Sequence, residues 1–348
     1  MKSSKNSLVS KLFSHIYIEK EIISHPLTKS ILDKFPDSIL VEINNYKEIF
    51  SRPRQNYKLQ EMSKKLILAK KKGKFLYPGP PLCPNFGYHH FYYITLILNC
   101  IFSCDYCFLK GMYPSANMVI FVNIEDYFEE IDSLLRKHPL YLSISYNTDI
   151  MALERIVPFF SMFIEYASLR RDLIIEIRTK SAEYKTLQNL KLSENVILSW
   201  TLLPQEIIEK FEPKTPNLTL RLYAIKKALE KGWKVRLNFD PLLFTENWKE
   251  IYLKFLNQVF EEIDPSKISD ISVGIFRMPK DYFKRMEKIF VNEITLFPYE
   301  EDQNVVTYPY ELRKEIIDFF LSFLSLYIPK EKIFVGIRES GSLTQFQL

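Results

Sequence analysis

The stretch Ile97-Leu98-Asn99-Cys100-Ile101-Phe102-Ser103-Cys104-Asp105-Tyr106-Cys107-Phe108-Leu109 carries three of the four cysteines of this 348-residue chain. Thiolates are soft ligands suited to zinc and to iron–sulfur clusters, and a spacing this tight lets all three turn onto one metal centre without long-range folding to gather them. A structural zinc site takes four protein ligands, whereas a four-iron cluster held by three cysteines leaves one iron open to a small molecule. A zinc reading therefore needs a fourth ligand, for which Cys83, His89 and His90 lie shortly upstream. A disulfide or plain buried thiols are the other readings of the same residues. Nothing at the N-terminus resembles a secretion signal, so metal binding in a cytoplasmic protein is the expected use of this spacing.

The cysteines follow an apolar run over 91–98 that reads as a strand, which places them on the loop at its C-terminal end. Parallel α/β sheets and barrels bind ligands at the carboxyl ends of their strands. Downstream, further short β-branched or apolar runs predict strands at 141–145, 173–178, 196–202, 235–239 and 271–276. Between them amphipathic stretches predict helices over 125–137, 152–170, 182–190, 219–231 and 248–263. Gly232 is placed to cap the fourth of these. This alternation with short connections implies a parallel (β/α) array. Upstream, the Pro78-Gly79-Pro80-Pro81 cluster breaks the chain. Before it lie a Ser/Lys-rich start and two helical patterns, one over 28–34 and a basic one over 58–74. Its lysines, Lys64, Lys65, Lys70, Lys71, Lys72 and Lys74, read as a solvated helix face or a nucleic-acid contact.

Composition bounds these readings. A chain that is 47% hydrophobic and 15% aromatic buries a large core and is not disordered. A net charge of +5 permits a polyanionic partner, but 42 acidic against 47 basic residues do not demand one. The longest apolar run, 316–329, is interrupted by Asp318 and falls short of the ~20 residues of a membrane helix, so no membrane span is expected.

Cys100-x3-Cys104-x2-Cys107, with the aromatic Tyr106 before the last cysteine, resembles the signature of radical S-adenosylmethionine (SAM) enzymes. The likeness to one branch runs further, through Tyr17-Ile18-Glu19-Lys20, Val122-Asn123 with Glu125, Thr179-Lys180, Phe211-Glu212-Pro213-Lys214-Thr215 and the stretch from Ala224 to Trp248. These resemble the spore photoproduct lyase family of DNA-repair enzymes over roughly residues 15–265. The resemblance implies a partial (β/α)6 TIM-type barrel of the radical SAM kind over 91–277, with an N-terminal extension (1–90) packed on it and a C-terminal extension (278–348). It implies a [4Fe-4S] cluster on Cys100, Cys104 and Cys107 whose open iron chelates SAM. One electron, from a donor such as flavodoxin or ferredoxin, then yields a 5′-deoxyadenosyl radical that abstracts hydrogen from the lesion in DNA. Thr148, Lys180 and Ser199 fall where the family contacts SAM. Phe108, where the family has a second tyrosine, is counted with them as cofactor-binding.

The chain departs from the family at Tyr146, three residues before Asp149, where the lyase has the cysteine that returns a hydrogen atom to the product. Tyr146 is therefore expected as the catalytic donor, with Tyr106 as the next candidate. The departure leaves open a different substrate, a nucleotide or a peptide, or a non-catalytic metal-bound nucleic-acid-binding module. The C-terminal segment that probes the lesion in the lyase has no clear counterpart over 293–307, where Phe297-Pro298-Tyr299-Glu300-Glu301-Asp302 reads as an acidic turn.

Overall fold

The computed structural model describes residues 11–336; the Ser/Lys-rich start at 1–10 and residues 337–348 lie outside the described residues. Strands β1 (His15–Glu19), β2 (Ile39–Ile43) and β3 (Leu66–Ala69) open the chain, followed by β4 (Leu76–Pro78), β5 (Phe91–Ile94), β6 (Ile97–Leu98) and β7 (Met118–Phe121). Strands β8 (Leu140–Ser143), β9 (Leu173–Thr179), β10 (Val196–Thr201), β11 (Lys234–Leu242) and β12 (Asp270–Ile275) then alternate with helices. The chain closes with β13 (Arg277–Pro279), β14 (Glu300–Asp302), β15 (Val305–Thr307) and β16 (Ile333–Gly336).

The main sheet runs β16-β12-β11-β10-β9-β8-β5-β4 and curls into a half-barrel. It is parallel from β5 to β16, with β4 added antiparallel at one edge. Its central strands are buried, every residue of β8 and β10 included, and they carry the buried polar residues Glu176, Ser199, Arg236 and Asn238 among the apolar ones. The helices between them span Ile124–Leu135, Phe159–Ser168, Lys185–Asn189, Leu218–Lys231 and Trp248–Glu262, with a further helix at Gln205–Phe211. Gly232 caps the Leu218–Lys231 helix in the left-handed conformation, φ 95°, as the sequence predicts.

The structure corrects several local expectations. The helix expected over 152–170 is formed only from Phe159 to Ser168, because Pro158 lacks the N–H that an interior helical residue must donate and instead stands at the helix start. The basic helix expected over 58–74 stops at Met62. Its second half is β3, whose Leu66-Ile67-Leu68-Ala69 is wholly inaccessible in the middle of a second sheet of order β2-β1-β3-β7-β6. A short apolar run buried on both faces carries no periodicity to separate strand from helix. The acidic stretch at 297–302 ends in β14, which pairs antiparallel with β15. Its charges are partnered, since Lys280 Nζ donates to Glu301 Oε1 at 2.6 Å and Arg313 lies 3.5 Å from Asp302.

The predicted 91–98 strand divides. β5 joins the half-barrel beside β8, whereas β6 crosses to the second sheet and pairs antiparallel with β7. The cysteine loop begins directly after this crossing, so it lies at the seam between the two sheets. Among the described residues no helix is long and apolar enough to cross a membrane.

Candidate active site

The cysteine loop holds an unusual backbone with hydrogen bonds from outside itself. Asn99 and Ser103 both adopt left-handed conformations, φ 68° and 56°, which side chains other than glycine adopt at a cost. Asn99 Nδ2 offsets that cost by donating to Ser115 O and Asn117 O, both at 2.7 Å. Lys64 Nζ donates to Cys100 O at 2.7 Å and to Ser103 Oγ. Lys64, read from sequence as part of a solvated face, is thus a loop anchor, and burial holds its pKa below the usual lysine range.

The Phe211-Glu212-Pro213-Lys214-Thr215 segment clamps the other half of the loop. Phe211 O accepts from Asp105 N at 2.8 Å. Tyr106 Oη donates to one oxygen of Glu212, and Arg221 Nη2 and Thr215 Oγ1 donate to the other. The side chains of Glu212 and Arg221 are inaccessible to solvent. Arg221 also donates to Pro216 O at 2.9 Å and Thr201 O at 3.1 Å, so its charge is fully hydrogen-bonded. Burial pushes the Glu212 carboxyl up, but Arg221 and Lys180 outweigh it and hold its pKa below the ordinary value.

Cys100, Cys104 and Cys107 line a cavity of about 280 Å³ at the carboxyl ends of the barrel strands. Tyr106, Phe108, Tyr146, Thr148 and Lys180 line the same cavity. Lys180 follows β9, its backbone N–H donating to Asp149 Oδ2 at 2.7 Å, and its ammonium lies 5.6 Å from the Tyr106 ring centre and 4.0 Å from Glu212. Asp149 also accepts from Thr179 Oγ1 at 2.9 Å and Ala152 N at 3.0 Å, which ties the β8 and β9 ends together. The Tyr146 ring packs 4.4 Å from that of Tyr93 and 5.4 Å from that of Phe108.

Ser199 is not brought to this wall. It lies inside β10 with no exposed surface, donating to Glu176 Oε1 at 2.9 Å and accepting from Asn238 Nδ2. Its reach toward the cavity is indirect, because Glu176 is a lining residue. Cys83, read as an upstream candidate for zinc, instead lines the cavity, while His89 and His90 are exposed and outside it. His90 stacks on His138 with ring centres 3.7 Å apart. Sequence reasoning missed Arg178, Asp240 and Arg277, which also line the cavity. Arg277 Nη1 donates to Asp240 Oδ1 at 2.8 Å, and Arg178 lies 3.7 Å from the same carboxylate. A charged residue at or just past the end of a strand was the only signal for them.

The donor set fits a cluster and a polar cofactor. Burial pushes the Cys100 thiol up to about 11 and raises Cys104 and Cys107 as well, so a metal must displace protons to bind. Among the described residues no three His, Cys, Asp or Glu side chains converge on a point that would hold a single ion. Three thiols lining one cavity would hold a four-iron cluster with one iron left open to a small molecule. Thr148 Oγ1 is buried without a hydrogen-bond partner, a costly state that a polar ligand relieves.

A family model described as spore photoproduct lyase matches residues 12–296. A spore photoproduct lyase of a Geobacillus sp. is 19% identical over 270 residues, covering 75% of this chain and 77% of that one. Among solved structures, spore photoproduct lyase complexed with dinucleoside spore photoproduct has a TM-score of 0.78 at 18% identity, covering 94% of this chain and 99% of the other. A doubly substituted spore photoproduct lyase with bound AdoMet and dinucleoside spore photoproduct has a TM-score of 0.79 at 19% identity over 94% and 99% of the two chains. The fold, the three-cysteine loop at the barrel mouth and the extent of the family match converge: the chain belongs to the spore photoproduct lyase family, radical SAM enzymes that repair the spore photoproduct lesion.

Proposed function

We propose that Cys100, Cys104 and Cys107 hold a [4Fe-4S] cluster, and that Thr148 and Lys180 bind SAM beside it with Phe108 as an apolar wall. The observation that carries this is the meeting, in one cavity, of three thiols, the Lys180 ammonium and the partnerless Thr148 hydroxyl. When bound, the cluster and SAM supply a carbon-centred radical that abstracts hydrogen from the lesion. The chain's own residues do the rest. The Lys180 ammonium attracts a carboxylate, and burial strengthens that attraction by removing competing water. Thr148 orients a polar group. Tyr106 positions the cysteine loop, because its hydroxyl hydrogen is engaged by Glu212. Tyr146 walls the substrate side.

The substrate of this reading is a thymine-dimer-type lesion in DNA, extruded from the base stack to reach a cavity that duplex DNA cannot enter. The chain's net charge of +5 permits that polyanionic partner. A reduced flavodoxin or ferredoxin supplies the electron, and an air-sensitive cluster of this kind belongs in the reducing cytoplasm. The test is equilibrium binding of SAM to the anaerobically reconstituted protein and to its Lys180→Ala variant. A loss of affinity of about tenfold or more at unchanged iron content supports the assignment, and equal affinity removes Lys180 from it.

A further inference from the structure

A second cavity, of about 420 Å³, lies across the Tyr57–Met62 helix from the cysteines. Tyr57 and Glu61 of that helix line the cysteine cavity, whereas Leu59 and Gln60 line this one. Arg52, Arg54 and Lys65 line it as well, and no carboxylate does. Arg52 and Arg54 are exposed, and among the described residues neither guanidinium has an ion-pair partner. Lys65 Nζ donates to the neutral hydroxyls of Ser14 and Ser63. Three cations gathered with nothing to neutralise them repel one another, and a bound anion relieves that repulsion. A chain of amides holds the wall behind them. Gln55 Nε2 donates to Phe50 O at 2.8 Å and Gln60 Nε2 to Gln55 Oε1 at 2.6 Å, while Gln60 Oε1 accepts from Ser115 Oγ and Ala116 N, each at 3.0 Å. Arg54 stands in the left-handed conformation, φ 56°, which a glycine would hold without that cost. No contact of the Arg54 side chain within the described residues offsets it.

Resting on the lesion-repair reading, we propose that Arg52, Arg54 and Lys65 hold backbone phosphate of the DNA strand that flanks the lesion. Arginine presents a planar fork of N–H donors that matches two phosphate oxygens, and Lys65 adds a point charge. Tyr17, Ser63 and Asn117 line the same cavity and supply neutral polar groups of the kind that also contact phosphate. Lys65 is one of the lysines that the sequence offers for nucleic-acid contact. The two cavities stand one helix apart, about 10–12 Å, which is about three phosphate steps at ~3.4 Å each along one strand. A lesion held at the cysteine cavity therefore carries its own flank to these cations, an advantage that a free anion lacks. Phosphate contacts position a strand without reading its bases, so the lesion is selected at the cysteine cavity and the flank holds it there.

The test is binding of a duplex oligonucleotide carrying one spore photoproduct, across a salt series, to the reconstituted parent, to the double variant Arg52→Ala with Arg54→Gly, and to Arg52→Lys. For the double variant the proposal expects affinity at least about tenfold lower at about 0.1 M salt, and a log–log salt slope flatter by about one or more. Arg52→Lys keeps its charge and should keep the parent's slope. Arg54→Gly alone should match or exceed the parent's urea midpoint, since glycine adopts φ 56° freely; this separates lost charge from lost fold. Thymine formation from dinucleoside spore photoproduct, which has no flanking strand, should stay within about twofold of the parent in the double variant. Unchanged duplex affinity and slope overturn the proposal, as does an equal loss with the dinucleoside. Inorganic phosphate that binds the parent and is not displaced by the duplex assigns the cavity to a free anion. Slower reduction of the cluster by flavodoxin at parent-like DNA affinity assigns it to an acidic protein. Either result overturns the proposal. A parent that makes no thymine from the dinucleoside refutes the lesion-repair reading instead, and is told apart because duplex affinity and salt slope need no turnover.

Discussion

Replacing Glu212 by alanine tests whether the Phe211–Thr215 segment holds the cysteine loop. The substitution leaves the Arg221 guanidinium buried without its carboxylate and frees the Tyr106 hydroxyl. Breaking a buried charge pair by removing one partner costs about 3–5 kcal/mol. Arg221 keeps Pro216 O, Thr201 O and Thr215 Oγ1 as acceptors, so the lower end, about 3 kcal/mol, is expected. The assay is urea unfolding of the cluster-free protein at pH 7, repeated at lower pH. The Glu212 carboxyl is held below its unfolded pKa of about 4.3, so its contribution is fully present above that value and lost as the pH falls through the folded value. The gap between parent and variant should therefore be widest at neutral pH and narrow below about pH 4. The reconstituted variant should also lose iron faster than the parent. A gap under about 1 kcal/mol at pH 7, or one that widens on acidification, would refute the reasoning.

Cys104→Ala should leave iron far below the parent level after anaerobic reconstitution, whereas Cys83→Ala should reconstitute like the parent; iron and sulfide analysis checks both. Ser199→Ala should cost about 1–3 kcal/mol of stability by leaving Glu176 and Asn238 short of a partner, measured by urea unfolding, with SAM affinity changed less than by Lys180→Ala. Gly111→Ala would place a Cβ 2.0 Å from Tyr282 O and force the Lys280–Ile289 helix away from the Leu109–Met112 turn beside the cysteine loop. A loss of about 1–3 kcal/mol is expected, and a parent-like unfolding midpoint would count against that packing.

The half-barrel was legible because its strands are apolar runs separated by amphipathic helices, a pattern that survives without tertiary context. The β3 strand was not, because Leu66-Ile67-Leu68-Ala69 is apolar on both faces and sits among lysines that suggested a helix. The cysteine loop announced itself by spacing, whereas Thr148 and Lys180 came from the family resemblance, which placed them at strand ends. What local pattern could not show is which distant charges converge. Glu212 meets Tyr106 across 106 positions of sequence, Arg277 reaches Leu82 across 195, and Lys64 reaches Ser103 across 39. Each pairing is set by how the sheets stack and not by neighbouring residues. Ser199 shows the converse: a hydroxyl on a barrel strand that points to a buried carboxylate one strand away.

The most direct test of the central claim is iron, sulfide and 5′-deoxyadenosine measured together on the anaerobically reconstituted protein, with dithionite, SAM and dinucleoside spore photoproduct supplied. The account predicts about four irons and four sulfides per chain, SAM cleaved only after reduction, and thymine formed from the lesion. Stoichiometric zinc without iron, or a loaded cluster that leaves SAM intact, would contradict it.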